Sequence, residues 1–297
     1  MSETIWCQWS DIDLPSNFKL FHSESDLANP AILEQITIYI PKYMGGAPSL
    51  NYMTQMPNLK LVQLLTAGFD DALNLLPTGV KLANARGVHD LSTAELTLAL
   101  TLASRSGIDQ YLKGQQSETW HRGVRTSIID AEVAIIGFGS VGQEIARVFM
   151  PFTSNITGYT RSGTNGTHRI SNLDNELSNF DVVVLITPLT DETKGLFDLR
   201  RMKLMKPGSL LVNMARGPVV VTDDLITILN AGHIHAAVDV TDPEPLPAGH
   251  PMWSAPNLII SPHVGGNSTA FPARAKLLIA QQLNRLAVGE PIENVVA

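Results

Sequence analysis

At 297 residues the chain is long enough for two ordinary domains, each with its own core. Its 16% charged and 6% aromatic residues are a globular composition, and a net charge of -7 without a basic tract argues against nucleic acid as the main partner. The single cysteine, Cys7, excludes an intrachain disulfide and a multi-thiolate metal site, so no metal is expected. No apolar run reaches membrane-spanning length and no secretion signal is legible, so a cytoplasmic protein without membrane contact is expected.

The first ninety residues read as a small α/β layer, with strand-like runs at 4–9, 37–40, 60–65 and 81–83. A glycine-rich loop, residues 42–48, follows the second run, and Thr66-Ala67-Gly68-Phe69-Asp70 follows the third. Open α/β sheets gather ligands beyond the carboxyl ends of strands, which makes both loops candidate substrate contacts. Ordinary turn duty is the competing reading for Gly45, Gly46 and Gly68. An apolar helix is expected over 94–106, with Ser92 and Thr93 ahead of it and Glu95 near its positive end. His89, just upstream, is read as a structural or exposed loop histidine. Residues 107–126 are polar and poorly periodic, and with Trp120 and His121 inside them they suit an arm against a partner subunit.

Residues 131–162 organise the rest. The apolar run 133–136 has the length of a buried parallel strand, and Gly137, Gly139 and Gly142 follow at the spacing of a dinucleotide fingerprint. Gly137 suits a tight turn, Gly139 leaves room for a pyrophosphate, and Gly142 lets the next helix pack close. That helix, about 140–150, opens with Ser140 and Val141 and aims its free N–H groups at the phosphates. A second strand, 155–160, ends in Thr160-Arg161-Ser162, where an NAD site usually carries Asp or Glu. Without a carboxylate there, a guanidinium and two hydroxyls suit a 2′-phosphate, so NADP(H) is preferred with NAD(H) possible. Stacking of Arg161 on adenine is the alternative.

Beyond the fingerprint, strands at 181–186, 209–213, 236–240 and 257–260 alternate with helices, including 222–231 and 270–288. Continuous hydrophobic strands joined by helices imply a parallel sheet covered on both faces. Arg216, Glu244 and His263 each follow one of these strands. An arginine fork grips a carboxylate and a keto oxygen together, and a histidine supplies a proton near neutrality. A neighbouring carboxylate holds the ring and favours imidazolium. Singly, each has a structural reading: a helix-cap arginine, a solvated acid, a turn histidine. Together with the fingerprint they suit reduction of a 2-keto acid by a nicotinamide.

The segments 66–70, 134–142, 213–220, 236–247, 250–253 and 261–266 resemble, in order, motifs of the D-isomer-specific 2-hydroxyacid dehydrogenase family. The resemblance implies a doubly wound parallel-sheet dinucleotide-binding domain (92–270) and a smaller flavodoxin-like substrate domain (1–91 with 271–297), usually in a homodimer. It implies Arg216 as binder of substrate carboxylate and carbonyl, His263 as acid/base and Glu244 as its partner. Met44, Gly45, Gly46 and Gly68 would meet the substrate carboxylate. Thr187, Pro188, Ala215, Asp239 and Gly265 would line the nicotinamide. The tip at Thr160 matches the NADPH-dependent glyoxylate/hydroxypyruvate reductases. The chain ends after the last helix, unlike the serine-sensing phosphoglycerate dehydrogenases. An NAD-linked dehydrogenase of another 2-hydroxy acid and a catalytically silent nucleotide-sensing module are the alternatives; a methyltransferase has no need of the later three residues.

Overall fold

Two parallel sheets form separate cores in the computed structural model, which describes residues 2–120 and 122–297. Met1 and His121, the latter named above within the 107–126 segment, lie outside the described residues. The chain divides into two compact units, Met1–His89 with Thr269–Ala297, and Asp90–Ser268.

The first unit carries β1 (Thr4–Cys7), β2 (Lys19–Phe21), β3 (Ile38–Ile40), β4 (Leu61–Gln63) and β5 (Lys81–Ala83), all parallel in the order β2-β1-β3-β4-β5. That is the flavodoxin-like doubly wound order. Alternate residues serve opposite faces, as a two-residue period requires. Ile5, Cys7, Ile38 and Ile40 pack beneath the helix Phe271–Ala287 through Phe271, Ala275, Ile279 and Leu283. Trp6, Tyr39, Val62 and Leu82 fill the other face. The end of the chain returns to the sheet, where Val296 N–H donates to Leu82 O at 2.8 Å.

The second unit carries β6 (Val133–Ile136), β7 (Ile156–Thr160), β8 (His168–Arg169), β9 (Val182–Leu185), β10 (Leu210–Asn213), β11 (His235–Val238) and β12 (Leu258–Ile260). Their order, β12-β11-β10-β9-β6-β7-β8, is the dinucleotide-binding arrangement with one strand added. β6, β9 and β10 are buried on both faces, which is why they read as unbroken Val/Ile/Leu runs. Each such side chain stabilises the fold by about 1.5–3 kcal/mol relative to exposure. Ladder order reverses between β6 and β9, so the loops after these two strands open onto the switch-point crevice.

Several elements differ from the sequence expectations. β2 and β8 were invisible because they are short edge strands, with both residues of β8 exposed and neither apolar. The helix expected from 94 begins at Asp90, which with Ser92 is buried, so Glu95 falls beyond the first turn. The 42–48 loop becomes helical at Gly46, in the segment Gly46–Leu50. Residues Ile108–Gln116 form a helix that weak periodicity hid, because only Gly114 is buried along it. His89 is buried, with Nε2 2.7 Å from Leu65 O and its ring stacked on Phe271.

Asp174 clasps two consecutive arginines, taking Arg200 Nη1 at 2.7 Å and Arg201 Nε at 2.6 Å. Burial pushes its carboxyl upward, but the two guanidiniums together hold it below the usual carboxylate range. The ionised form is therefore favoured in the folded chain, and its contribution is present above the unfolded value of about 4 and lost as pH falls through the lower folded value. Asp174→Asn is expected to lower stability at neutral pH, with the gap to wild type narrowing below about pH 4 in urea titrations at several pH values.

Candidate active site

The fingerprint loop is shaped by backbone proximity. Gly137 has φ +101°, and a Cβ there would lie 2.5 Å from Ile186 O. The loops after β6 and β9 thus touch at the switch point. A Cβ on Gly142 would meet Gly137 O at 2.2 Å, so the helix Ser140–Phe149 starts against the turn itself. At Gly139 nothing lies within 4 Å of the Cβ position, and no side chain caps the helix it precedes. Val141 packs into the core behind this turn. Open space, free helix N–H groups and the positive dipole end together fit a pyrophosphate. Beside them, the buried hydroxyl of Thr187 has no hydrogen-bond partner, while Pro188 O accepts from Thr193 Oγ1 at 2.7 Å.

At the tip of β7 the structure changes the picture drawn from sequence. Thr160 Oγ1 accepts from Gly163 N–H at 3.0 Å and pairs with Thr167 Oγ1 at 2.8 Å, so it holds the turn. Ser162 Oγ pairs with Thr164 Oγ1 at 3.0 Å. The tip was expected to be free of carboxylates, yet Glu192, on the loop after β9, lies 2.8 Å from Arg161 Nη2. The pair is largely exposed, at 85% and 62%, which makes it weak and easily exchanged. Register sets Arg169 of β8 beside Thr160, and its Cγ lies 2.5 Å from where a Gly163 Cβ would stand. Sequence reasoning missed Arg169 because the two-residue strand that positions it leaves no hydrophobic signal.

Three loops at the carboxyl ends of β10, β11 and β12 carry Arg216, Glu244 and His263. Asn213 sets the first: its Nδ2 donates to Arg216 O at 3.1 Å and its Oδ1 accepts from Ala215 N–H at 3.1 Å. Arg216 Nη1 donates to Ala215 O at 2.8 Å. Gly217 brings this loop onto the next, since a Cβ there would sit 1.9 Å from Thr241 O. Thr222 Oγ1 adds a bond to Asp242 O at 2.8 Å. The third loop is held by Asp239, whose buried carboxylate accepts from Ser261 Oγ at 2.5 Å, Val264 N–H at 2.9 Å and Gly265 N–H at 2.8 Å. Both oxygens of Asp239, expected as a nicotinamide contact, take donors from the His263 loop in this structure.

His263 projects from a left-handed backbone (φ +55°), and its main-chain N–H donates to Asp239 O at 2.7 Å. Its Nδ1 is 2.5 Å from Glu244 Oε1, and the other oxygen of Glu244 takes Thr241 N–H at 3.5 Å. With Nδ1 facing the carboxylate, Nε2 is the ring atom left to face a substrate. The imidazole is 41% exposed, so it is reachable. Chemically, this is a proton donor of fixed orientation next to a loop bearing a guanidinium.

In the first unit, Met44 and Gly46 both have left-handed backbones, but Gly45 does not, and its N–H donates to Lys42 O at 3.0 Å. That bond corrects the expectation that Gly45 presents its N–H to a carboxylate. Around Gly68, Thr66 Oγ1 donates to Gly68 O at 2.7 Å, and Asn84 Nδ2 donates to Ala67 O at 2.7 Å. Asn84 O accepts from Gln63, whose own oxygen accepts from Gln282 at 3.1 Å. This buried amide chain had no sequence signature, since its members are scattered over 63, 84 and 282.

Residues 98–265 match the family model for the NAD binding domain of D-isomer specific 2-hydroxyacid dehydrogenases. The chain belongs to that family. It is similar to a glyoxylate reductase of Thermococcus onnurineus, at 33% identity over 79% of this chain and 75% of the relative. Among solved structures it is similar to a family member from Aeromonas salmonicida, at TM-score 0.87 and 25% identity, covering 100% of this chain and 98% of the other. It is also similar to an NADPH-dependent glyoxylate/hydroxypyruvate reductase of Sinorhizobium meliloti in complex with NADP and sulfate, at TM-score 0.82 and 25% identity, covering 100% and 98%. The chain is accordingly an NAD(P)-dependent oxidoreductase of the 2-hydroxyacid dehydrogenase family, with a Rossmann dinucleotide-binding domain.

The Gly217 contact decides whether the Arg216 and Glu244 loops stay together. Gly217→Ala is expected to destabilise by about 1–3 kcal/mol, the usual effect of overpacking, and to reduce kcat/KM alongside. Denaturant midpoints and steady-state kinetics on the same preparation check both.

Proposed function

We propose that the protein reduces a small 2-keto acid, of the glyoxylate or hydroxypyruvate type, to the D-2-hydroxy acid with NADPH. The observation that carries the proposal is the Glu244–His263 couple held beside the Arg216 loop. In the reaction the keto carbon gains a hydride and the keto oxygen a proton, giving hydroxy acid and oxidised cofactor. Bound NADPH supplies the hydride. Arg216 grips the substrate carboxylate and carbonyl oxygen. His263 Nε2 delivers the proton as charge grows on that oxygen, and Glu244 holds the ring and balances the imidazolium. Met44, Gly46 and Gly68 are proposed as substrate-loop contacts, and Thr187, Pro188, Ala215 and Gly265 as contacts to the nicotinamide half.

The preference for NADPH rests on Arg161, Ser162 and the newly apparent Arg169 around the tip of β7. Glu192 favours the second reading, an NAD-linked dehydrogenase, because its carboxylate already occupies Arg161 and repels a phosphate. A panel of 2-keto acids assayed with both reduced cofactors tests the proposal. Higher kcat/KM with NADPH and a small keto acid supports it; a clear preference for NADH overturns the cofactor reading. A homodimer belongs to the same proposal, supported by the exposed apolar side chains Ile108, Leu112 and Trp120, and sedimentation velocity tests it.

His263→Ala is expected to lower kcat by ~10²–10⁴-fold while leaving NADPH affinity intact in fluorescence titrations. Arg216→Ala should damage both kcat and KM, since one cation orients ground state and transition state. Arg161→Ala is expected to weaken NADPH by about ten- to a hundredfold with little change for NADH, and Glu192→Gln to tighten NADPH. Equal losses for both cofactors in Arg161→Ala would refute a phosphate contact.

A further inference from the structure

The opposite edge of the second unit's sheet holds a cavity of about 200 Å³ lined by Ser104, Arg105, Gln110, Arg125, Thr126 and His235, with Gly107 and Gly208 in its wall. His235 and Leu210 are the first residues of β11 and β10, whereas the Glu244 and Arg216 loops follow their last. Four residues at ~3.3 Å each put the cavity roughly 13 Å from the catalytic edge.

Its charges are unbalanced. Arg105 is buried, at 9% exposed, and donates only to main-chain oxygens: Nη1 to Asp181 O at 3.2 Å and Nη2 to Ser127 O at 2.8 Å. Its Nε has no partner. Arg125 donates from Nε to Tyr111 Oη at 3.2 Å and from Nη1 to Gln110 Oε1 at 2.8 Å, both neutral. Two carboxylates act nearby: Asp181, bonded to Lys206 at 2.8 Å, also attracts Arg105, and Asp109, 3.8 Å from the exposed Lys113, also acts on His235, so the cations around the cavity outnumber the acids without being free of them.

A third positive element adds to these. The helix Ile108–Gln116 starts at Gly107 with no side-chain cap, and the Arg125 guanidinium lies 3.1 Å from where a Gly107 Cβ would be. A cation at a helix N-terminus is electrostatically unfavourable; Asp109 in the first turn offsets part of this, and an anion between Arg125 and the helix start offsets more. Burial also holds His235 below the usual imidazole range, leaving a neutral ring with an N–H to donate at pH 7. Two guanidiniums, free helix N–H groups, an imidazole and the hydroxyls of Ser104 and Thr126 form a donor set for a compact oxyanion.

We propose that this cavity binds a phosphate group, either as inorganic phosphate or as the phosphoryl end of a small metabolite, independently of catalysis. Arg125, His235 and the helix start would face the oxygens, and Arg105 would supply charge from behind. No catalytic step is part of this inference, so it stands or falls separately from the reductase reading.

The experiment is calorimetric titration of the full chain with inorganic phosphate, and separately with glycerol phosphate, at constant ionic strength. Saturating NADPH keeps the nucleotide site occupied. One saturable site per chain is expected, with Arg125→Ala and His235→Gln each weakening it about ten- to a hundredfold and leaving kcat unchanged. Tighter glycerol phosphate points to a metabolite, and tighter inorganic phosphate to the free ion. Absence of saturable binding, or undiminished binding in Arg125→Ala, overturns the proposal.

Discussion

The sheet edge that carries Arg216, Glu244 and His263 depends on one buried carboxylate. Asp239 sits at the end of β11 and accepts three donors from the loop after β12, all of them neutral. A carboxylate taken out of water is tolerated when directed hydrogen bonds replace its hydration. Those bonds set the path of residues 261–265, and with it the left-handed backbone of His263 and the direction of its imidazole. Remove that anchor and the histidine is an exposed loop residue with no reason to face Glu244.

Neighbouring loops are joined by close backbone approach more than by side chains. Gly217 against Thr241, Gly137 against Ile186 and Gly142 against Gly137 are contacts that a methyl group would break. In the first two cases the missing Cβ lets one strand end reach the next, and in the third it lets the helix Ser140–Phe149 start against its own turn. Of the three fingerprint glycines, Gly139 alone has open space at its Cβ position. Thr187, with a buried and unpartnered hydroxyl, stands next to that space.

The nucleotide tip shows how far a local pattern carries. Thr160-Arg161-Ser162 is readable as a run lacking acids, but two of its three side chains serve the turn, and the third meets a carboxylate 31 positions away in sequence (192 − 161). Arg169 arrives by strand register and Glu192 by the loop after β9. The tip of β7 thus gathers two arginines and one acid that no stretch of sequence displays at once.

The order of polar residues after strands singled out Arg216, Glu244 and His263 as candidates. Hydrophobic runs and the glycine spacing determined the fold class, because burial on both faces and tight turns leave strong local marks. Short edge strands, the helix Ile108–Gln116 and the early start of the helix Asp90–Ser106 left none, since their apolar content is sparse or their polar residues are buried. Tertiary structure alone decided which polar side chain holds which loop: Asp239 accepts from the His263 loop, and Asn84 donates to the 66–68 turn. These pairings join residues distant in the chain through directional bonds only a few ångströms long. Such bonds exist once the sheets have brought their ends together, and composition or periodicity cannot announce them beforehand.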